Sequence, residues 1–420
     1  MIRTLIKKSA SSVLVFLLAA FITWHIAFAA QLRAGAAWTN ITPEKVNGVN
    51  LAGYTTRKSD GLHDPITVRC AVIDDGETKL AIAAADLLGI FYEDIQKISD
   101  VISQKTAIPT ANILIHAIHT HSGPDVLGLW GGPPKGYKQK LTDGISACIA
   151  DALSMMRPAK AYFASGTVDD LNINRRHYKE KSADKTIAVM RFEADNGDTI
   201  FTLVNFALHP VVLGADNLKI TADYVFYFRQ KIEKDIGGIS LFVSRDLGDA
   251  NPPPIHDDVY DRSGGTFEMA EKIGNSLADV VKTLLSDATL SSQPDRIKIA
   301  AKEVQIPVEN PRFLSFMKTG LIKRKVKNDS VTTAVAVVDL GAAQILTFPG
   351  EAVSTVREEI EPLLPGPHKF FFGLTYDAVG YIIHPVEWND SKYEESMSLG
   401  RSFAGILKDV FAGIAEDMFK

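Results

Sequence analysis

Apolar and polar positions along this chain follow two rhythms, one of period two and one near 3.6. Short apolar runs bounded by turn residues predict strands at Val68–Ile73 and Lys79–Asp86, with Asp74-Asp75-Gly76-Glu77 as the hairpin turn between them. A second hairpin is predicted over Ile187–Phe192 and Thr199–Phe206, turning on Asp195-Asn196-Gly197-Asp198, and a third over Ala334–Asp339 and Ala343–Thr347. Further buried strands are predicted at Asn112–Ile118, Ile239–Val243 and Lys369–Leu374. Helical spacing marks Tyr92–Lys105, Leu141–Met156, Asp223–Ile236, Phe267–Leu285, Ser354–Leu364 and a C-terminal stretch from Tyr393 to Phe419. Strands mixed with helices, some joined by tight turns, predict an α/β (α+β) fold with a mixed β-sheet core flanked by helices. No Pro/Gly/Ser-rich linker clearly divides the chain, the nearest candidate being Leu285–Pro294, so a single large domain is expected over residues 31–420.

The strand Asn112–Ile118 delivers His119 and His121 just before Ser122-Gly123-Pro124. Alternation along a strand predicts that both imidazoles share one face at its C-terminal end. That end is where sites are built in α/β sheets, and neutral imidazole is a ready zinc ligand. A lone His there reads as a strand-end residue bonded to nearby backbone; His-x-His before a Gly-Pro stop reads as a metal or catalytic site. Similar endings recur. His209-Pro210 closes the run from Val204, Asp246-Leu247-Gly248-Asp249-Ala250-Asn251-Pro252 closes another, and Gly380-Tyr381 follows the strand at Lys369. Pro349-Gly350-Glu351 opens a helix, where a Glu also suits first-turn electrostatics. One metal site built from several strand ends is the expectation.

Composition narrows the partners. Of 420 residues 46% are hydrophobic and 23% charged, as in ordinary folded proteins, and a net charge of -5 gives no global attraction to nucleic acid. Cys70 and Cys148 are read as buried free thiols, with one disulfide as the alternative. Arg3, Lys7 and Lys8 precede an apolar run from Val13 to Ala30 that ends in Ala27-Phe28-Ala29, the pattern of a secretory signal peptide over residues 1–30. An uncleaved anchor is the alternative, since about 20 apolar residues span a bilayer. Both place the body outside the cytoplasm, as a periplasmic or secreted protein or one held at the membrane. The basic stretch Lys318–Lys327 reads first as a solvated helix face, and second as a contact for anionic lipid or a cover over an active site.

Taken together, these motifs resemble the catalytic domain of the neutral/alkaline, non-lysosomal ceramidase family. The likeness runs from Ala34-Gly35-Ala36-Ala37-Trp38-Thr39-Asn40-Ile41-Thr42-Pro43 to the C-terminal helix. It rests on Gly61-Leu62-His63-Asp64, Ala85-Asp86-Leu87, His119-Thr120-His121-Ser122-Gly123-Pro124, Asn205 through His209, Gly248-Asp249, Pro349-Gly350-Glu351 and Gly380-Tyr381. The resemblance implies one zinc ion held by His119, His209, Glu351 and Tyr381, N and O donors that suit that metal. It leaves His121 for substrate or proton transfer and implies that Asn174-Arg175 and Tyr393 line the site. Arg176 directly follows, so either guanidinium could face inward. The implied activity is hydrolysis of an amide bond, in a lipid or other N-acyl substrate, by metal-activated water.

Two departures stand out. The family continues Gly-Asp with x-Ser-Pro, whereas Asn251 stands here in the Ser place, and an amide hydrogen-bonds but cannot act as a hydroxyl nucleophile. The chain also stops at Lys420 without the family's C-terminal immunoglobulin-like domain. Both leave the substrate open between ceramide and another N-acyl compound. Two alternatives stand beside the amidase: an esterase or lactonase on the same metal, and a zinc-bearing binding protein in which Asn251 marks lost activity. No Gly-x-Ser-x-Gly elbow supports a serine hydrolase, and the oligomeric state is open.

Overall fold

The computed structural model describes residues 31–176, 183–253, 264–286 and 296–420. The expected leader and most of the linker candidate Leu285–Pro294 lie outside them. Eight strands make the main sheet: β1 (Arg33–Asn40), β2 (Thr67–Asp74), β3 (Lys79–Ala85), β4 (Ile113–Ala117), β5 (Arg157–Thr167), β6 (Thr186–Ala194), β7 (Thr199–Phe206) and β8 (Ile239–Ser244). Their spatial order is β8-β7-β6-β5-β1-β2-β3-β4. The β7–β8 and β3–β4 pairs are parallel and the rest antiparallel, so the sheet is mixed as expected. A second sheet runs β9 (Lys298–Pro307), β10 (Ser330–Asp339), β11 (Ala343–Thr347) and β12 (His368–Phe372), with Val326–Lys327 paired to β10. Around the sheets lie α1 (Tyr92–Thr106), α2 (Tyr137–Ser154), α3 (Tyr224–Asp235), α4 (Phe267–Ser286), α5 (Pro311–Lys318), α6 (Ser354–Ile360) and α7 (Phe403–Phe419). Among the described residues no helix is long and apolar enough to cross a membrane.

Local chemistry explains which elements were legible. Ala81–Ala85 and Ile113–Ala117 are buried along their whole length, so these parallel neighbours read as unbroken apolar runs. Helix α1 buries Ile95, Ile98 and Ile102 on one stripe and stops at Ala107, which turns left-handed. Helix α5 starts at Pro311 with Asn310 capping the Arg312 and Phe313 amides. Strands β1, β5 and β9 escaped the pattern. β1 is rich in Gly and Ala, which carry little strand preference, and β9 lies largely half-exposed. The stretch from Tyr393 to Phe419 is not one helix. A single turn at Tyr393–Ser396 precedes α7, because the intervening backbone pairs elsewhere: Met397 O accepts from the Tyr381 amide at 3.2 Å and Leu399 O from the Asn310 amide at 2.9 Å. Both cysteines are buried free thiols.

Two side chains tie the strand ends together. Asn205, near the end of β7, donates to Val243 O at 3.0 Å and Phe371 O at 2.9 Å, and its Oδ1 accepts from the Phe371 amide at 2.8 Å. Its amide thus pairs with β12 as a neighbouring strand would, joining the two sheets. His116 on β4 accepts the Ser244 amide through Nε2 at 3.1 Å, which assigns the ring proton to Nδ1, donated to Gly373 O at 2.6 Å. Edge strands β4 and β8 and the turn after β12 meet on this one ring.

Burial pushes the His116 imidazole down to about 3. Between pH ~6.5 and ~3 the unfolded chain therefore binds a proton that the folded chain refuses, and stability falls as pH drops through that window. The expected outcome is a loss of denaturation free energy below pH ~6.5, with His116→Gln losing a shallower slope, by up to about 1.4 kcal/mol per pH unit. Urea unfolding at stepped pH measures both slopes; parallel slopes would remove His116 as the cause.

Candidate metal centre

Five of the residues expected at the site lie beyond the C-terminal ends of main-sheet or second-sheet strands, while Tyr393 opens a single helical turn. His119 follows β4, His209 follows β7, Asn251 follows β8, Glu351 follows β11 and Tyr381 follows β12. Glu351–Ala352 pairs in parallel with Tyr381–Ile382, which registers the carboxylate beside the phenol. Gly248 lets its turn lie on that pairing, since a Cβ there would sit 2.6 Å from Glu351 O. β4 ends at Ala117, so strand alternation never reaches the two histidines. His119 instead takes a left-handed conformation, φ 74°, which costs a non-glycine residue on the order of 1–3 kcal/mol. Its amide donates to Leu87 O at 2.9 Å and its Nδ1 to Leu88 O at 2.8 Å, and these bonds hold the turn. The two rings do meet, with centroids 4.9 Å apart, but through this turn rather than a shared strand face.

Three acceptor atoms converge at the floor. Glu351 Oε2 lies 3.3 Å from His119 Nε2 and 3.2 Å from His209 Nε2. His209 Nδ1 donates to Ala250 O at 2.9 Å, as His119 Nδ1 does to Leu88 O, so each ring turns its Nε2 toward the carboxylate. Burial pushes the His209 imidazole down to about 4. Burial alone would raise the Glu351 carboxyl, and positive charge on the His119 and His209 side holds it well below the usual carboxylate range. Where both Nε2 atoms are unprotonated, that charge has to come from a cation between them and the carboxylate. The observed separations match the ~3.3 Å edge of a tetrahedron with bonds of ~2.0–2.1 Å, the spacing of zinc donors. Backbone carbonyls on both Nδ1 atoms are the usual outer support of metal-binding histidines.

His119, His121 and His209 form a second set that could hold a metal ion, each bringing a ring nitrogen within 4.8 Å of the others. The His121 ring packs on Tyr54 at 4.7 Å, and Arg57 grips its backbone oxygen at 2.6 Å. Both ring nitrogens are buried without a hydrogen-bond partner among the described residues. Burial, then the neighbouring His119 and His209, hold the imidazole well below its ordinary range.

Arg175 organises the other side. It donates to the Tyr381 hydroxyl at 2.7 Å and to Asn251 Oδ1 at 3.3 Å, and its Nε lies 3.1 Å from Glu394. The Tyr393 ring stands 6.1 Å from that of Tyr381. Arg176 turns away into a cage of carboxylates, 2.7 Å from Glu395, 3.0 Å from Glu394 and 3.4 Å from Glu387. Asn174 does not face the pocket; it donates to Asp249, which also takes the Ser354 hydroxyl and which burial pushes up to about 6. Sequence reading missed Glu387, Glu394 and Glu395. Acidic residues in a polar stretch look solvated, and the one available signal was their crowding around Tyr393.

Above this floor opens a pocket of about 100 Å³, partly open to solvent, walled by Leu88, Phe91, Leu127, Phe313, Met317 and Val379. The polar groups His119, His121, Glu351 and Tyr381 line the same pocket. Residues 32–246, just over half of the chain and including His119, His121 and His209, match the family described as neutral/alkaline non-lysosomal ceramidase, N-terminal.

The chain belongs to the neutral/alkaline non-lysosomal ceramidase family.

Neutral ceramidase A of Dictyostelium discoideum is 28% identical over 238 residues, 48% of this chain and 33% of that protein. The Drosophila melanogaster neutral ceramidase is 22% identical over 365 residues, covering 73% of this chain and 51% of its own length. Alignments with the Dictyostelium relatives thus span about a third of those proteins. The neutral ceramidase of Pseudomonas aeruginosa superposes with a TM-score of 0.78 at 18% identity, over 92% of this chain and 75% of that one. A structure described as ceramidase complexed with C2 gives 0.77 at 17% over the same shares. The fold is that of this family: mixed sheets flanked by helices in a single domain.

The carboxylate cage generates a stability prediction. Arg176→Met strands buried carboxylates without their cation and is expected to cost about 3–5 kcal/mol in urea unfolding, with Arg176→Lys costing less. A loss under about 1 kcal/mol would mean that the carboxylates are protonated or hydrated rather than paired.

Proposed function

We propose that this chain is an exported zinc-dependent hydrolase that cleaves the amide bond of a lipid or other N-acyl substrate. The observation that carries the reading is Glu351 Oε2 held at 3.2–3.3 Å from two imidazole nitrogens in a buried, apolar-walled pocket. His119, His209 and Glu351 would hold the ion, and Tyr381, registered beside Glu351, is the fourth candidate. Zinc bound there supplies Lewis acidity and brings the pKa of water toward ~7. His121, beside the ligand set and free at both ring nitrogens, shuttles the proton from water to the leaving amine. Tyr393, which lines the pocket, and Arg175, which reaches it through the Tyr381 hydroxyl, stabilise the negative charge that develops on the scissile carbonyl oxygen. The apolar walls take the acyl chain. An ester would meet the same donors; family membership favours the amide. The apolar segment over residues 1–30 supports export, by cleavage or as an anchor.

Asn251 separates this chain from the family's Ser. Its Oδ1 accepts from Arg175, so it positions that guanidinium from behind the residues that line the pocket, while the attacking group is water.

His209→Ala is expected to lose bound zinc and activity together. His121→Ala should keep zinc and lose rate by about 10²–10⁴-fold. Metal analysis of both purified variants decides, and a His121 variant that arrives without zinc reverses the two imidazoles. Asn251→Ser is expected to remain a hydrolase and to shift preference toward N-acylsphingosine by no more than one hydrogen bond's worth, about 0.5–1.5 kcal/mol. Side-by-side assays on N-acylsphingosine and short N-acyl substrates measure it. If the native chain is inert on all of them and only the Ser variant works, the protein is a zinc-bearing binder.

A further inference from the structure

We infer that the rim of this pocket docks on an anionic phospholipid bilayer. The inference shares with the proposed function the premise that the pocket takes a lipid, but its evidence is the outer surface of the pocket wall. Phe313 and Met317 of α5 line the cavity, and α5 ends at Lys318. The basic stretch beyond is therefore not a helix face. Gly320 turns the chain with φ 75°, and the segment then runs with alternate burial. Ile322 and Arg324 point inward to line the pocket, Arg324 pairing with Asp377 at 2.5 Å over the Phe91 ring. Leu321, Lys323 and Lys325 point outward, and Leu321 at the tip is 62% exposed. One thin wall thus has an inner face of Ile322 and the paired Arg324 and an outer face made of a leucine tip and lysines.

Other rim residues match it. Leu129 and Tyr393 line the same pocket, yet are 37% and 42% exposed, and half-buried Trp130 lies beside them. A single exposed leucine is ordinary, but apolar and aromatic side chains collected at the mouth of one apolar pocket mark an interaction surface. The charge pattern selects the occupant. Lys323, Lys325 and Lys327 are exposed and enter no ion pair among the described residues, on a chain whose net charge is -5. Lysines beside an apolar tip, with Tyr and Trp at the same rim, suit an anionic headgroup layer over hydrocarbon. Docked this way, the mouth opens onto the bilayer and a lipid reaches the floor without crossing water.

The test uses the full chain carrying Leu321→Cys labelled with an environment-sensitive fluorophore, the two native cysteines being buried. A second chain is labelled at Asp198→Cys, in the turn before β7 and so at the opposite end of that strand from the site. Vesicles of phosphatidylcholine with phosphatidylglycerol are expected to blue-shift the Leu321 label and leave the Asp198 label unchanged. Adding Lys323→Glu and Lys325→Glu should raise the lipid needed for half the shift by at least about tenfold. A Leu321 label that stays in water while the chain sediments with vesicles overturns the inference, because attachment then comes from elsewhere. Equal shifts with pure phosphatidylcholine, or in the lysine variant, overturn its anionic part. A shift that follows protein concentration without lipid assigns the rim to a second copy. No arm reads turnover, so a chain that docks but hydrolyses nothing defeats the proposed function alone.

Discussion

A carboxylate buried against two imidazoles sets the terms for everything around it. Glu351 cannot sit ionised in an apolar pocket without positive charge nearby, and with the Nε2 atoms of His119 and His209 turned on its oxygen that charge comes from their protons, a cation or the nearby Arg175. Compensation then spreads outward in layers. Arg175 brings a buried guanidinium to Tyr381 and Asn251, and that charge needs Glu394. Glu394 is shared with Arg176, which gathers Glu395 and Glu387 as well. Each pair recruits an element from a different part of the chain, so the charge balance of the site and the packing of its loops are one problem.

The fold meets that problem by placing strand C-terminal ends together. His116 and Asn205 bind the ends of β4, β7, β8 and β12 into a common edge through bonds that strands would otherwise make to one another. From that edge the site loops depart. Backbone cost falls where position matters most, as in the left-handed turn of His119, which two hydrogen bonds to Leu87 and Leu88 hold in place. Gly248 marks a second constraint, a turn lying on the Glu351 backbone that leaves no room for a side chain.

A polar floor beneath apolar walls divides the work of recognition. In the proposed function the walls take hydrocarbon by area and the floor holds a polar, hydrolysable group by position. Asn251 stands just behind that floor, its side-chain oxygen bonded to Arg175.

Much of this was legible in the chain itself. Unbroken apolar runs reported β3 and β4, hairpin turns reported β6–β7 and β10–β11, and ligand-type residues just beyond strands marked the segments of His119 and His121, His209, Asn251, Glu351 and Tyr381, from which the family resemblance singled out four as ligands. These signals are local: a strand, a turn or a helix stripe is written in residues a few positions apart. What the tertiary structure alone decided is which of those residues touch. His209 and Glu351 meet across 142 positions, and no spacing foretells 3.2 Å. Which guanidinium of the Arg175-Arg176 pair turns inward, and that Glu387, Glu394 and Glu395 are buried rather than solvated, depends on where opposite charges arrive from distant elements. Even the pairing of His119 with His121 came from a strained turn outside the strand. Local pattern encodes the direction of the backbone; the burial and pairing of charge follow from which surfaces close over it.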